Sequence, residues 1–193
     1  MTLSAEISAC RVCAEFLEHT PRPVVQFSRT SRILIVGQAP GSKVQASGIA
    51  WDDASGERLR EWTGLSAATL HDETRVAIVP MGFCYPGRVP KDKGGGGDKP
   101  PRPECAPLWH ERVLQSLPAD RTTLLVGQYA QAHYLPHTRK LSMTDRVRRH
   151  AEFYPFIPLP HPAWRSAIWM KKNPWFATDV LPALRREIQR RLA

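Results

Sequence analysis

The segment RILIVGQAPG, at residues 32–41, decides how this chain is expected to fold. Its first half is a short apolar run rich in β-branched residues, which is typical of a buried strand. Its second half, GQAPG, is a stiff turn that contains two glycines and a proline. Ligands bind beyond the carboxyl ends of strands in open parallel sheets, so this turn is a candidate ligand loop. An ordinary strand-to-helix turn is the alternative, and the sequence lacks the GKS or GKT ending of a phosphate loop.

Three further apolar runs predict strands, at residues 76–79, 123–126 and 153–159. Segments with helical periodicity lie between or after them, at residues 56–64, 107–117 and 174–192. Strands separated by helices predict an α/β fold in which helices cover both faces of a parallel sheet. The run LLVGQYA at residues 124–130 echoes LIVGQAP at residues 34–40, but two copies are too few for a repeat array.

The charge balance of the chain points to a polyanionic partner. The 193 residues include 27 Lys and Arg against 18 Asp and Glu, which gives a net charge of +9. Such an excess attracts nucleic acid or an anionic membrane surface. The sequence has no run of 18 apolar residues and no secretory signal, so we expect a cytoplasmic protein. The length predicts a single domain over residues 1–193, and the absence of heptads predicts a monomer.

Four cysteines, and no others, occur in the sequence: Cys10, Cys13, Cys84 and Cys105. The first two form a CRVC motif, and the other two lie far along the chain. Thiolates at these spacings are the ligand set of one metal centre, either tetrahedral zinc or an iron–sulfur cluster. Two disulfides, or four unrelated buried thiols, are the alternatives. The segment between the last two cysteines, residues 86–103, is rich in Pro, Gly and Lys and predicts a flexible loop, either solvated or in contact with DNA.

A second candidate site follows the last predicted strand, in LPHPAWR at residues 159–165. Prolines flank His161 on both sides and hold its backbone rigid. Trp164 and Arg165 place an apolar wedge beside a cation, which suits a protein that opens DNA. Further upstream, Trp51 in GIAWDD is either a base-stacking residue or an ordinary core or surface tryptophan. The two aspartates after Trp51 are candidate general bases, with helix capping as the alternative.

Together these motifs resemble the uracil-DNA glycosylase superfamily, in particular its iron–sulfur branch (family 4 and close relatives). The resemblance rests on CRVC, GQAPG, GIAW, the two later cysteines and HPAW, which occur in the family's order over roughly residues 10–190. It implies a three-layer α/β/α sandwich with a four-stranded parallel sheet. It also implies a 4Fe-4S cluster held by the four cysteines, although the spacing alone does not distinguish this cluster from zinc.

The resemblance further implies base excision repair of DNA. The enzyme would flip uracil, or a related deaminated base, out of the strand and hydrolyse its N-glycosidic bond. His161 would stabilise the leaving base, and Gln38 would be the second catalytic residue. Base binding is expected from the backbone and side chains of the first motif and from one tryptophan: Gly37, Gln38, Ala39 and Trp51. DNA contacts are expected from Trp164 and Arg165.

Two departures from the family pattern bear on activity. Many relatives carry an acidic residue where this chain has Gln38, and a neutral amide can orient water but cannot take its proton. Iron–sulfur relatives often have an asparagine shortly before the third cysteine, where this chain has VPMG at residues 79–82. The alternative function is therefore a catalytically weak or inactive protein that binds damaged or single-stranded DNA on the same fold.

Overall fold

Four parallel strands form a central sheet in the computed structural model, which describes residues 2–90, 92 and 96–193. The strands are β1 (Ile33–Val36), β2 (Val76–Ile78), β3 (Thr122–Val126) and β4 (Phe156–Leu159). Their order across the sheet is β2-β1-β3-β4, so β1 lies between β2 and β3, and β4 is the edge strand beside β3. The predicted four-stranded parallel sheet is confirmed. Strand β4 is shorter than the predicted run because Phe153 ends a 3-10 helix and residues 154 and 155 form a turn.

Helices occupy most of the connections between the strands. Their bounds are Leu3–Ser8 for α1, Ser42–Ser47 for α2, Ala54–Thr63 for α3, Ala67–Leu70 for α4, Cys105–Ser116 for α5, Gln128–Tyr134 for α6, Met143–Arg148 for α7, Ser166–Lys172 for α8 and Leu181–Leu192 for α9. Helices α3 and α5 lie where the periodicity predicts them. The third predicted helix, at residues 174–192, is divided into a π-helical turn (Phe176–Val180) and α9.

Alternating strand residues face two separate hydrophobic layers, as a sheet covered on both sides requires. In β1, Ile33 and Ile35 point into the layer made by α3, the π-helical turn and α9, which contains Trp62 and Phe176. Leu34 and Val36 point into the opposite layer, made mainly by α1, α5 and α6. The fold is therefore the expected three-layer α/β/α sandwich. This arrangement directs the carboxyl ends of all four strands to one edge of the sheet.

Described residues at both ends of the segment 86–103 pair with each other. The Val89 N–H donates to the Gly97 carbonyl at 3.0 Å, and the Lys99 N–H donates to the Gly87 carbonyl at 2.8 Å. Arg88 and Asp98 form the antiparallel bridge between them. These residues make the stem of a hairpin, here called the stem (residues 87–89 and 97–99). The flexibility predicted for this segment stays a prediction, and its centre includes residues 91 and 93–95, which lie outside the described residues.

In the ranges that the structure describes, no helix has the length and apolar character needed to cross a membrane.

Candidate active site

One pocket at the carboxyl edge of the sheet brings together most of the predicted site residues. Gly37, Gln38, Ala39, Trp51 and His161 all line it. They come from the turn after β1, from the segment before α3 and from the loop after β4. The cavity volume is about 120 Å³. This is small beside the roughly 300–1,000 Å³ of sites that enclose drug-sized molecules, so the pocket suits a ligand with a single ring.

Glycines at the ends of β1 and β3 make room for the two aromatic residues of the pocket. A Cβ on Gly37 would lie 2.9 Å from Trp51 Cζ2, which is too close for a side chain there. Gly127 has a φ of +89°, in the region that favours glycine, and its Cα faces the His161 side chain. The echo between LIVGQAP and LLVGQYA therefore has a structural meaning. Each copy ends a strand with a glycine on which one site aromatic packs.

Trp51 is held in an uncommon backbone conformation. Its φ is 58°, in the left-handed region that bulky residues rarely adopt, at a cost of about 1–3 kcal/mol. Its ring lies 6.0 Å from the His161 ring, centroid to centroid, with the planes tilted by 38°. The residue is partly buried, and its indole packs against the edge of the core. Both residues line the pocket, so the two rings form adjacent walls of it.

His161 is positioned by its proline-flanked loop and by an arginine from α3. Arg58 Nη1 donates to the Ala163 carbonyl at 2.6 Å and to the Pro162 carbonyl at 3.3 Å, which ties the loop to the helix. Burial lowers the pKa of His161, and the negative charges of two nearby aspartates only partly oppose that effect. The imidazole is therefore neutral at neutral pH, and it has one N–H to donate to a ligand.

The two positions where the chain departs from the family pattern are already engaged in protein contacts. Gln38 Nε2 donates to the Lys99 carbonyl in the stem, over a long distance of 3.4 Å. The Pro80 carbonyl accepts a hydrogen bond from His110 Nε2 at 2.9 Å. Pro80 lines the pocket but offers no amide to read a base edge. At both positions the pocket wall is braced by a polar contact to a distant part of the chain.

His110 is a buried histidine beneath this wall. Its Nε2 must carry the proton because the Pro80 carbonyl can only accept, and its Nδ1 lies 2.8 Å from the Tyr134 hydroxyl, which can donate. Its ring stacks on Phe83 at a centroid distance of 5.8 Å. Burial lowers the pKa of His110 to about 4. The folded protein therefore holds this histidine neutral.

Protonation of His110 should make the protein acid-sensitive. The ordinary histidine pKa is 6.5, and that of folded His110 is about 4. Between these pH values the unfolded chain binds a proton that the folded chain does not, so the free energy of unfolding falls as pH drops, by about 3 kcal/mol in total. Chemical denaturation at a series of pH values measures this slope. We expect His110→Gln to flatten it and His137→Gln, at an exposed position, to leave it unchanged. Equal slopes in wild type and His110→Gln would contradict the prediction.

Two aspartates also line the pocket, and only one of them was considered from the sequence. Asp53 caps α3, since its Oδ1 accepts from the Gly56 N–H at 2.8 Å, as the capping alternative predicts. Its other oxygen lies near Gly41 at the pocket. Asp98 reaches the pocket from the stem. Sequence reasoning missed Asp98 because it sits in a glycine-rich segment with no periodicity to indicate its direction.

Trp164 and Arg165 lie outside the pocket lining, on the outer surface of the His161 loop where α8 begins. The Trp164 side chain is 66% exposed, and the Arg165 guanidinium stacks over its ring at 4.8 Å. Ile168 in α8 is also exposed. An exposed aromatic side chain with a cation stacked on it, shortly after His161 in the chain, is compatible with the predicted DNA contact, which stays a prediction.

All four cysteines line a second pocket, and all four are free thiols. Its walls also include the aromatic residues Phe83 and Trp109. The Phe83 N–H donates to Cys105 Sγ at 3.3 Å. Burial raises the pKa of Cys84 to about 11 and that of Cys105 to about 12. The fold thus brings the CRVC motif to the two later cysteines, as a single centre requires.

The four thiols line one cavity. Over the described part of the chain, no three His, Cys, Asp or Glu side chains are grouped to hold one metal ion. A single zinc needs each sulfur about 2.3 Å from the metal, whereas a cluster of several irons separates its cysteine ligands more widely. The donor set of four thiols around one cavity fits a thiolate-bound metal group, either a cluster or one zinc ion.

The fold and the first pocket define an α/β protein that binds a small ligand at the carboxyl ends of a parallel sheet. The chain matches the model of the uracil DNA glycosylase superfamily over residues 24–185, and it therefore belongs to that superfamily. The matched range contains the first pocket, the exposed Trp164 and two of the four cysteines. Membership supports a DNA glycosylase-like function with DNA as the substrate.

Proposed function

We propose that this protein is a monofunctional DNA glycosylase that hydrolyses the N-glycosidic bond of uracil, or of a related deaminated base, in DNA. The observation that carries the proposal is the pocket that His161, Trp51 and the GQAPG turn line together, with the two rings 6.0 Å apart. Its small cavity suits one pyrimidine ring, and superfamily membership makes DNA the substrate. We further propose that the protein acts as a monomer in the cytoplasm.

The reaction breaks the bond between C1′ of deoxyribose and N1 of the base, and the electron pair leaves with the base. The departing uracil is an anion, so the main requirement is a hydrogen-bond donor at the oxygen where its charge develops. A neutral His161 supplies that donor from a rigid loop. The backbone of Gly37, Gln38 and Ala39 binds the base edge, and the Trp51 indole stacks on its face where relatives usually have phenylalanine.

The DNA contacts follow from the exposed residues beside the pocket. A flipped base leaves a gap in the strand, and an exposed aromatic group can fill such a gap. Trp164 has the exposure for this role, and Arg165 places a positive charge against the backbone. The net charge of +9 supports general attraction to DNA.

We propose a structural 4Fe-4S cluster at the second pocket, held by Cys10, Cys13, Cys84 and Cys105, with zinc as the alternative. Such a group would crosslink the N-terminal segment to the stem region, and it has no part in bond cleavage. The second pocket, lined by the four cysteines, is here called the thiol pocket, and the first, lined by His161, the base pocket. Among the described residues, the two pockets have no lining residue in common. This separation supports a structural role.

Base release from single-stranded oligonucleotides tests the function. Each oligonucleotide carries one uracil, hypoxanthine or xanthine, and alkali converts the resulting abasic site into a strand break. We expect cleavage at one or more of these bases and none at the matched undamaged base. If strands carrying uracil, hypoxanthine or xanthine all remain intact, as the undamaged strands do, the proposal is refuted.

A specific observation favours the non-catalytic alternative. The Gln38 amide and the Pro80 carbonyl, at the two positions that depart from the family pattern, already have partners within the protein. A protein that only binds would show tight, salt-sensitive affinity for uracil-containing strands without any base release. Fluorescence anisotropy at two salt concentrations, run beside the cleavage assay, separates the two functions.

A further inference from the structure

The pocket contains a carboxylate that the GQAPG motif does not supply. Asp98 lines the pocket together with His161, although it lies 57 positions after Gly41 in the sequence and belongs to the stem. Its Oδ2 lies 3.8 Å from the position that a Cβ on Gly41 would occupy. The fold therefore brings an acidic side chain close to the GQAPG motif, the motif in which many relatives carry an acidic residue.

The stem fixes the direction of this side chain. Two backbone hydrogen bonds pair the strands of the stem on either side of Asp98. The Tyr85 hydroxyl lies 3.3 Å from Asp98 Oδ1 and donates to it, which leaves Oδ2 toward Gly41. Lys99, the next residue, forms an ion pair with Glu18 through its side chain. The ion pair with Glu18 anchors the stem to the N-terminal part of the chain.

Gln38 takes part in the same anchoring. Its amide donates to the Lys99 carbonyl, so the residue that replaces the family's acid holds the segment that carries Asp98. A glutamate at position 38 could not donate to that carbonyl. The Gln38 amide thus helps to hold the Asp98 carboxylate at the pocket.

The surroundings of Asp98 suit a base that water can reach. The residue as a whole is exposed at the pocket mouth, whereas its carboxyl group is partly enclosed. Partial burial raises its pKa, with a smaller contribution from Asp53, and the Tyr85 hydroxyl, Arg88 and His161 oppose this rise. A carboxylate whose pKa is raised toward the working pH is a stronger proton acceptor.

We propose that Asp98 is the general base of this enzyme and activates the water that attacks C1′. The inference rests on the proposed glycosylase function. As the C1′–N1 bond breaks, its electron pair leaves with the base, which His161 stabilises as an anion. The water oxygen forms the new bond to C1′, and one water proton passes to Asp98. The departing base later takes up a proton, so the reaction consumes one water and yields free base and an abasic site.

Single-turnover base release measures the contribution of Asp98. We expect Asp98→Asn, a nearly isosteric change at an exposed position, to slow release by at least about 100-fold. Affinity for the same oligonucleotide should be unchanged or tighter, because the variant loses one negative charge. The matched control is Asp179→Asn, which removes an exposed aspartate in the π-helical turn, outside the base pocket, and should retain the wild-type rate.

The pH profile distinguishes a base from a residue that only maintains the structure. In wild type the rate should fall as the pH drops through the pKa of Asp98, and this acidic limb should be absent in Asp98→Asn. A rate within threefold of wild type, or an acidic limb that persists in the variant, would overturn the assignment. A roughly 100-fold loss of rate in Asp53→Asn, with no loss in Asp98→Asn, would also overturn it. Asparagine preserves the helix cap at position 53, so such a loss would identify Asp53 as the base. Absence of base release by the wild type would instead refute the proposed function itself.

Discussion

Replacement of His161 by alanine is expected to reduce base release by about 100- to 1,000-fold, the effect of removing one preorganised donor from a developing anion. The side chain sits on a loop tied to α3 by two arginine hydrogen bonds, and it packs over Gly127. Its loss removes the donor without changing the backbone. Because burial holds the imidazole neutral, the wild-type rate should not decline as the pH rises through 6.5, the ordinary histidine pKa.

The measurement is single-turnover cleavage of a uracil-containing strand, with binding followed separately by anisotropy. Binding should persist in His161→Ala, since Trp164 and Arg165 remain. Replacement of the exposed His137 by alanine is the matched control and should retain activity. Loss of binding and cleavage together in His161→Ala would show that the residue maintains the site and would contradict its role as a donor.

The parts of the fold that sequence reasoning predicted are those that local patterns determine. Each strand is an apolar run that fills both layers of the sandwich, so composition alone indicates it. Helices α3 and α5 carry regular apolar spacing and were found for the same reason. Helix α2 was not predicted, because its six residues include a single buried one, Val44. A helix with one core contact leaves no periodicity to read.

The residues of the candidate site also fall into those that the sequence predicted and those that it did not. Gly37 and His161 follow predicted strands directly, so the topology of a parallel sheet places them at one edge. Asp98 reaches that edge through backbone pairing across a glycine-rich turn, and the sequence carries no signal for this pairing. The contact of Gln38 with the stem was likewise not predicted, because its partner is a backbone carbonyl 61 positions away. Contacts made by main-chain atoms do not depend on residue type, so they cannot be predicted from it.

The thiol pocket supports the base pocket through the segment that joins them. The Met81 N–H donates to the Gly37 carbonyl at 2.9 Å, and the Gly82 N–H donates to the Gln38 carbonyl at 3.0 Å. Cys84 follows two residues later, and Cys105 opens α5 beyond the stem. A metal group held by these cysteines would therefore fix both the GQAPG turn and the ends of the segment that carries Asp98.

Replacement of Cys84 by serine should accordingly destabilise the whole domain, by several kcal/mol on the order expected for a structural metal ligand. The expected results are a lower soluble yield, a lower Tm and loss of iron and sulfide after anaerobic purification. The residual folded fraction should keep the wild-type preference among deaminated bases, since the thiol pocket does not line the base site. Ala14→Ser, beside Cys13, is the control and should keep the metal content. Iron with equimolar sulfide in the wild type supports the cluster, whereas one zinc per chain selects the alternative. A Cys84→Ser protein with the wild-type Tm, metal content and activity would show that the four cysteines do not act as one centre.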